Sequence, residues 1–515
     1  MPTTVPCSST TRSLPALSSR VLMFALLTAI AALPGCTVGP DYHGAPDVAN
    51  GAGHANVFVR APAIGVASTH APSRWWSTLN DPKLDALIDA ALAHNPDLQA
   101  AQARLRESRA QLQEQKANAL PTVSADAAAL RMRKPNLSGL ESSQSASNTT
   151  GTTQSTSTSQ GQGPLQLYSA GFDASWELDL FGGTRRAIES ASAQAEAVNA
   201  DLADTQVSLA AEVAQAYIGL RDQQTRLALA NQSAQLEQQT LTLIQQRRAR
   251  GVGADADVER QTTQVENTRA TLIPLDEQIA ESLDQLAVLT GQAPGALDQE
   301  LSTPSPLPAL PEAVAIDDPA TMLQQRPDIR AAERRLASSN AQIGQHTADL
   351  FPKVTMLGFI GSNAADIGHL TRKSAFTWLG VPYLQWDVLD FGHTRSTIRQ
   401  AEASRDEAAD RYTQTVLAAL QDANNALSRY GHQRDSVARL QQIEASADRS
   451  ATLMRQRYDA GASSMIDLLD TQRAQFTAQQ NLVEGQADLL KDFVSLQKSL
   501  GLGWTIPASS HESTI

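Results

Sequence analysis

The chain is poor in the materials of several familiar protein classes. It has two cysteines in 515 residues, Cys7 and Cys36, both near the N-terminus. That excludes a disulfide framework and a thiolate metal site. Its nine histidines are scattered, with no HxxxH pair and no Cys/His cluster. Aromatic residues make up only 4%, too few for a thick globular core. Basic residues are outnumbered, and a formal net charge of −13 gives no support to nucleic-acid binding. No Ser/His/Asp spacing, phosphate loop or metal pair stands out, so an enzyme reading has no carrier. Beyond Leu33 there is no apolar run of about 18 residues, which leaves no transmembrane helix. A spanning route could only be a closed β-barrel, because hydrocarbon cannot satisfy an open sheet edge. What the chain does have is Ala, Gln, Ser, Arg and Leu in long tracts, the composition of long helices sharing narrow seams.

The N-terminus reads as an address. Arg12 and Arg20 precede the apolar stretch "VLMFALLTAIAAL", Val21 to Leu33, which is too short to span. "LPGC" follows, ending on Cys36, and resembles the bacterial lipobox, in which the cysteine is lipidated and becomes the mature N-terminus. Cys36 stands at the expected cleavage point. The plainer alternative is an ordinary secretory signal with Cys36 a bystander. Acyl chains contribute about 0.8 kcal/mol per buried CH₂, so two or three anchor a protein stably. Thr37, in place of an Asp, favours delivery to the outer membrane.

The rest of the chain is written twice. "WELDLFGGTRR", from Trp176, returns as "WDVLDFGHTRS", from Trp386, at an offset of 210. The same offset relates Gly251 to Gly461 and Gly291 to Gly501. Upstream, "NPDLQAAQARL" from Asn95 matches "RPDIRAAERRL" from Arg326, and "LPTV" matches "FPKV", at an offset of 231. The difference requires an insertion in the first half. "SGLESSQSASNTTGTTQSTSTSQGQG", Ser138 to Gly163, supplies it and reads as an exposed loop. Each half is expected to carry one helix, two strands and two further helices.

Gln166 to Leu180 alternates at period two, which means strand. Tyr168, Phe172, Ala174, Trp176 and Leu178 take one face, and Ser169, Asp173, Ser175 and Glu177 the other. One apolar and one acidic, polar face is the pattern of a transmembrane barrel strand. A half-buried soluble sheet alternates in the same way, but the strand length and the Trp and Tyr near strand ends favour the barrel. The matching stretch around Trp378, Leu384 and Trp386 keeps that parity, but Leu379, Val381 and Tyr383 blur it and Pro382 should break the ladder. Downstream, about 66 residues without proline should form a helix of roughly 100 Å, too long to bury itself alone. Four strands per chain cannot close a barrel, for which about eight is the minimum. Several copies must contribute, and three would give about twelve strands. A coiled-coil stalk or adhesin would share the helices and the anchor, but not the duplicated strand pairs.

The expected boundaries follow. Residues 1–35 form the signal peptide and 36–73 a lipidated, extended segment. The first repeat, 74–291, has strands near 121–131 and 165–181 and helices at 184–249 and 256–290. A Pro-rich linker occupies 292–317. The second repeat, 318–501, has strands near 352–362 and 375–391 and helices at 394–459 and 465–500, with a tail at 502–515.

Cys36 followed by "VGPDY", then "WWSTLNDPKLDALIDAALAHNPDL" from Trp75, "RPDIRAAERRLASSNAQIG" from Arg326 and the paired Phe-Gly phrases together resemble the outer-membrane efflux channels of the TolC type, in their lipoprotein (NodT-like) branch. The resemblance covers nearly the whole mature chain. It implies an α+β membrane protein: a homotrimer with a twelve-stranded β-barrel, four strands per chain, continuous with a long periplasmic α-helical barrel. It implies a periplasmic adaptor and an inner-membrane efflux pump as partners, contact with outer-membrane lipids, and no cofactor beyond lipid on Cys36. It also implies a periplasmic gate. Tyr458 matches the gate tyrosine, Asp257 the carboxylate that pairs with it, and Asp467 and Asp470 the two lumen-facing carboxylates. Arg457 would stand in for a basic gate residue that Ser463 replaces. On the residues alone, Asp467 and Asp470 fit equally well as solvated acids at a helix start. Trp176, Phe181, Gly182 and Thr184, with Trp386, Phe391, Gly392 and Thr394, are expected at the strand–helix junctions, the tryptophans as interface anchors and the threonines as helix N-caps.

Overall fold

The computed structural model describes residues 37–48, 58–60, 66–67, 72–132 and 165–504. Cys36, the leader and the Ser138–Gly163 stretch lie outside the described residues. The chain divides into two compact units.

The sheet unit holds four strands: β1 (Thr122–Met132), β2 (Leu165–Leu178), β3 (Lys353–Ala364) and β4 (Phe376–Gln385). They pair antiparallel in the order β1-β2-β3-β4. The register carries the duplication into space. Thr122 faces Ser175 across β1 and β2, and the residues 231 and 210 further on, Lys353 and Gln385, face each other across β3 and β4. Cross-strand partners share a face, so the pairing sorts the side chains. One face carries Phe172, Trp176, Met356, Ile360, Trp378 and Leu384, and the other Asp126, Asp173, Glu177, Lys353, Thr355 and Gln385. The residues that blurred the alternation in β4 belong to the polar face. Leu379 pairs with Phe359, which pairs with Asp173, and Val381 pairs with Leu357. That face therefore carries an apolar band of its own.

Two expectations about β4 need correction. Pro382 does not break the ladder but sits opposite Met356. β4 is an edge strand of this chain's sheet, where proline is tolerated. The strand also ends at Gln385, short of the expected 391. Beyond it the backbone turns, and Trp386 spends its indole on a neighbouring segment, as described below.

The longer helices among the described residues are α1 (Pro82–His94), α2 (Pro96–Asn118), α3 (Gly183–Ala249), α4 (Asp255–Leu289), α5 (Pro319–Gln325), α6 (Pro327–Ala348), α7 (His393–Asp459) and α8 (Met465–Ser499). Each repeat thus opens with two helices where one was expected. A proline divides each pair. Asn95 and Arg326 precede Pro96 and Pro327 with ψ of 128° and 121°, the extended geometry that proline imposes on its predecessor. Asp81 caps α1 by accepting from the Lys83 and Leu84 amides, and Tyr217 Oη donates to its other oxygen at 2.7 Å.

The core of the helical unit lies where α1 meets the middles of α3 and α7 and the C-terminal parts of α4 and α8. Trp75 and Trp76 are almost fully buried, and Trp75 meets Phe493 edge to face at 5.9 Å. Arg221, wholly buried, reaches the carbonyls of Leu301 and Thr303 and stacks on Tyr217 at 4.8 Å. It fastens the interrepeat linker, which also forms a short parallel pair, Val314–Ala315 against Val66–Ala67.

Candidate functional site

Two constellations recur by the duplication and carry no enzyme-like chemistry. The first comprises the strand–helix junctions. Trp176 Nε1 donates to the Ala119 carbonyl at 3.0 Å, and Trp386 Nε1 donates to the Leu350 carbonyl at 3.0 Å. Donors and acceptors correspond at the 210 and 231 offsets. Each indole thus ties the end of one strand to the approach of its partner while its ring stays exposed. Gly182 and Gly392 adopt φ of 84° and 90°, a left-handed turn that a Cβ would strain.

The helix caps fall elsewhere than expected. Thr184 and Thr394 lie inside the first turns of α3 and α7 and do not act as caps. Asp179 accepts from the Arg185 amide at 2.9 Å, and Asp390 accepts from the Gly392 and Thr394 amides at 2.9 and 2.8 Å. Hydrogen bonds from Thr394 and Gly392 hold the Asp390 carboxyl down at about 2. Neither aspartate was singled out from the sequence. They fall at offset 211, one residue out of step with the repeat, and only the course of each turn brings them onto the helix start.

The junctions also differ. Phe181 stacks on Phe351, ring centroids 4.6 Å apart. Phe391 takes φ of 51° and is 98% exposed. The described N-terminal residues dock on the first junction only. The Val38 amide donates to the Phe181 carbonyl at 3.1 Å, and Arg186 Nε donates to the Val38 carbonyl at 3.3 Å. Thr37 packs against Gly182, where an added Cβ would meet it at 2.8 Å. Gly39 lies on Gly344, where an added Cβ would come within 2.3 Å of its Cα, and Tyr42 Oη donates to Glu333 at 2.8 Å. The "VGPDY" and "RPDIRAAERRLASSNAQIG" stretches are therefore one packing arrangement.

The second constellation comprises the turns joining each long helix to its shorter return. Gly251 and Gly461 adopt φ of 76° and 74°. Val252 and Ala462 amides close back on the Arg247 and Arg457 carbonyls at 3.1 and 2.8 Å, the same helix-ending motif at the 210 offset. Arg247 Nη1 donates to the Tyr458 hydroxyl at 2.6 Å, linking α3 to α7. Arg473 donates to Gln264, linking α8 to α4, and also faces Asp470 at 3.8 Å. The expected Asp257–Tyr458 pair does not form. Asp257 lies on its own helix beside Arg260 at 3.6 Å, because the arginine a turn before Gly251 reaches the tyrosine first. Arg248 pairs with Asp255. Asp467 is the N3 member of a capping box with Ser464, whose hydrogen bonds hold its carboxyl below the ordinary range. Asp467 and Asp470 are both exposed, on the side of α8 away from buried Leu468. Arg247, Gln264 and Arg473 escaped the sequence reading, although Arg247 aligns with Arg457 at the repeat offset.

Among the described residues no group of three or more His, Cys, Asp or Glu could hold a metal, and no helix is long and apolar enough to cross a membrane. A four-stranded sheet with one apolar and one polar face, turned at each end of the repeat into a helical hairpin, defines a subunit of a trimeric outer-membrane channel of the TolC type. The chain belongs to the outer membrane efflux protein family, whose model matches residues 87–292 and 319–502. It is 30% identical over 475 residues to the antibiotic efflux pump outer membrane protein ArpC of Pseudomonas putida, covering 92% of this chain and 93% of that one. It is 30% identical over 482 residues to nodulation protein T of Rhizobium leguminosarum bv. trifolii, covering 92% and 95%. The solved outer-membrane channel OprN superposes with a TM-score of 0.78 at 35% identity, covering 91% of this chain and all of that one. The open state of the MtrE channel of Neisseria gonorrhoeae superposes at 0.74 and 26% identity, covering 91% and 98%. The chain is thus an outer-membrane channel component of an efflux system.

Proposed function

We propose that this chain is the passive outer conduit of a tripartite efflux pump, gated at its periplasmic end. A periplasmic adaptor would dock on it, and an inner-membrane transporter would supply the driving force and the choice of cargo. The observation that carries the gate is the bond from Arg247 to Tyr458 across the two turns. It ties the long helices of the two repeats where they end, and the Arg473–Gln264 bond does the same for the return helices. Opening by separation of the two hairpins must break both. Asp467 and Asp470 are the carboxylates that would face the pore there, and Arg457 the charge that relieves them. Threefold symmetry would gather six carboxylates into a ring that favours cations.

Lipidation of Cys36 belongs to the same reading. Thr37, its neighbour, is seated on Gly182 at the strand–helix junction, the level at which an acyl chain would enter the membrane. Single-channel recording of the purified trimer tests the conduit and gate together. A closed or low-conducting trimer that opens when Arg247 is removed supports the proposal, and a trimer that never conducts refutes it.

A further inference from the structure

The duplication contains the geometry of a contact that one chain cannot make with itself. β1 and β4 are the free edges of the sheet, exposed along their whole length, whereas β2 and β3 pair with each other across the boundary between repeats. We propose that β4 of one copy pairs antiparallel with β1 of the next in the register that the β2–β3 seam dictates: Tyr383 faces Ala128, Gln385 faces Asp126, and Trp386 faces Ala125. This rests on the trimeric channel assignment and goes beyond it, since a closed barrel alone does not say which residues meet.

The derivation is a translation. Carrying β2 forward by 210 gives β4, and carrying β3 back by 231 gives β1. Asp173↔Phe359 then becomes Tyr383↔Ala128, Ser175↔Leu357 becomes Gln385↔Asp126, and Trp176↔Met356 becomes Trp386↔Ala125. The same translation, applied to the β1–β2 ladder, reproduces the β3–β4 ladder pair for pair.

Three independent features fit the seam. The first is parity. Tyr383 and Gln385 lie on the polar face, as do Ala128 and Asp126, so no side chain is sent to the wrong solvent. The second is size. On the apolar face β4 offers Leu384 and Pro382, followed by Trp386 just past its end, and the register sets against them Ala127, Ala129 and Ala125. The third is the junction. Phe181 stacks on Phe351 inside the chain, and the translation sends that pair to Phe391 and Leu120 of the next copy. These two are 98% and 64% exposed, and Phe391 is held in a left-handed conformation with no covering group among the described residues of its own chain. A left-handed, bare phenylalanine is costly in water. The next copy's Leu120 would cover it.

The register is tested by paired cysteines. Facing residues of an antiparallel ladder lie within the Cα separation that a disulfide accepts. Cys7 lies in the leader and the sulfur of a lipidated Cys36 is held in a thioether, so the mature chain brings no competing thiol and its anchor is left in place. Tyr383→Cys with Ala128→Cys, oxidised in outer membranes, should give dimers and trimers that resist SDS and collapse with reductant. The yield should be about ten-fold above Tyr383→Cys with Asp126→Cys or with Leu130→Cys, whose partners are displaced two residues along the strand. Asp173→Cys with Phe359→Cys is the internal calibration and should close within one chain, leaving it monomeric on SDS gels. Preferential cross-linking at 126 or 130 would overturn the register while leaving the trimer intact. So would absence of covalent oligomers from the 383/128 pair in preparations that are trimeric by mass. Loss of the trimer itself, with the calibration pair still forming, would overturn the assignment on which the seam rests.

Discussion

Removing the guanidinium of Arg247 should open the channel. Its Nη1 lies 2.6 Å from the Tyr458 hydroxyl, at a turn open to solvent. A hydrogen bond to a charged group contributes roughly 1.5–3 kcal/mol, and solvent exposure reduces that to about 1 kcal/mol. A trimer has three such bonds. If the three hairpins part together, Arg247→Ala destabilises the closed state by about 3 kcal/mol, roughly a hundred-fold in the closed-to-open ratio. The Arg473–Gln264 bond persists in that variant and sets a floor, so the double substitution should conduct more than either single one. Open probability in planar bilayers is the assay. Tyr458→Phe should reproduce Arg247→Ala, and combining the two should add nothing, since each removes the same bond. Asp257→Ala should do little, because its carboxylate rests on Arg260. Molar salt should mimic the mutation in part by screening the exposed charge. Unchanged open probability in both Arg247→Ala and Tyr458→Phe, or full additivity between them, would refute the latch.

Other perturbations probe the junctions and the anchor. The folded Asp390 carboxyl, held down at about 2, contributes stability that is complete above the ordinary carboxylate range and is lost as pH falls toward 2. Thermal melts of the trimer should steepen over that acid window, and Asp390→Asn should lower the neutral melting temperature and flatten the acid limb. Gly39→Ala places a Cβ within 2.3 Å of Gly344 at φ of 90° and should cost about 2 kcal/mol or more, read by denaturation and by new protease cleavage before Tyr42. Cys36→Ser should abolish incorporation of labelled palmitate, and persisting label would place the lipid elsewhere.

The parts legible in the sequence were those the chain states twice. Two constant offsets located the Trp-Phe-Gly junctions and the glycine turns, and period two revealed the faces of β2, because one strand's alternation needs no knowledge of its neighbours. β4 was harder. Leu379 and Val381 are apolar yet share the polar face, on a band completed by Phe359 and Leu357 of the adjacent strand, so alternation within β4 could not sort them. The end of β4 at Gln385 and the choice of Asp179 and Asp390 as caps depend on how each turn folds back. A threonine at the helix start is a good cap by type, but here a carboxylate four to six residues upstream accepts from the first amides of each helix, Arg185 and Thr394. The Arg247–Tyr458 bond joins residues 211 apart, and no local pattern marks it. The resemblance pairs Tyr458 with Asp257, whereas in the structure its hydroxyl accepts from Arg247.

The contact of β2 with β3 has a consequence for how the barrel is made. Of the six places where one strand pair must find another, three are closed by covalent connection within a chain. There the partner is present at the high effective concentration of a tether. Only the other three wait on collision between copies. Assembly rate should therefore vary with the amount of protein only through the β4–β1 closures, while each chain can ready its own four strands beforehand. The bare Phe391 ring marks the slow side of that process.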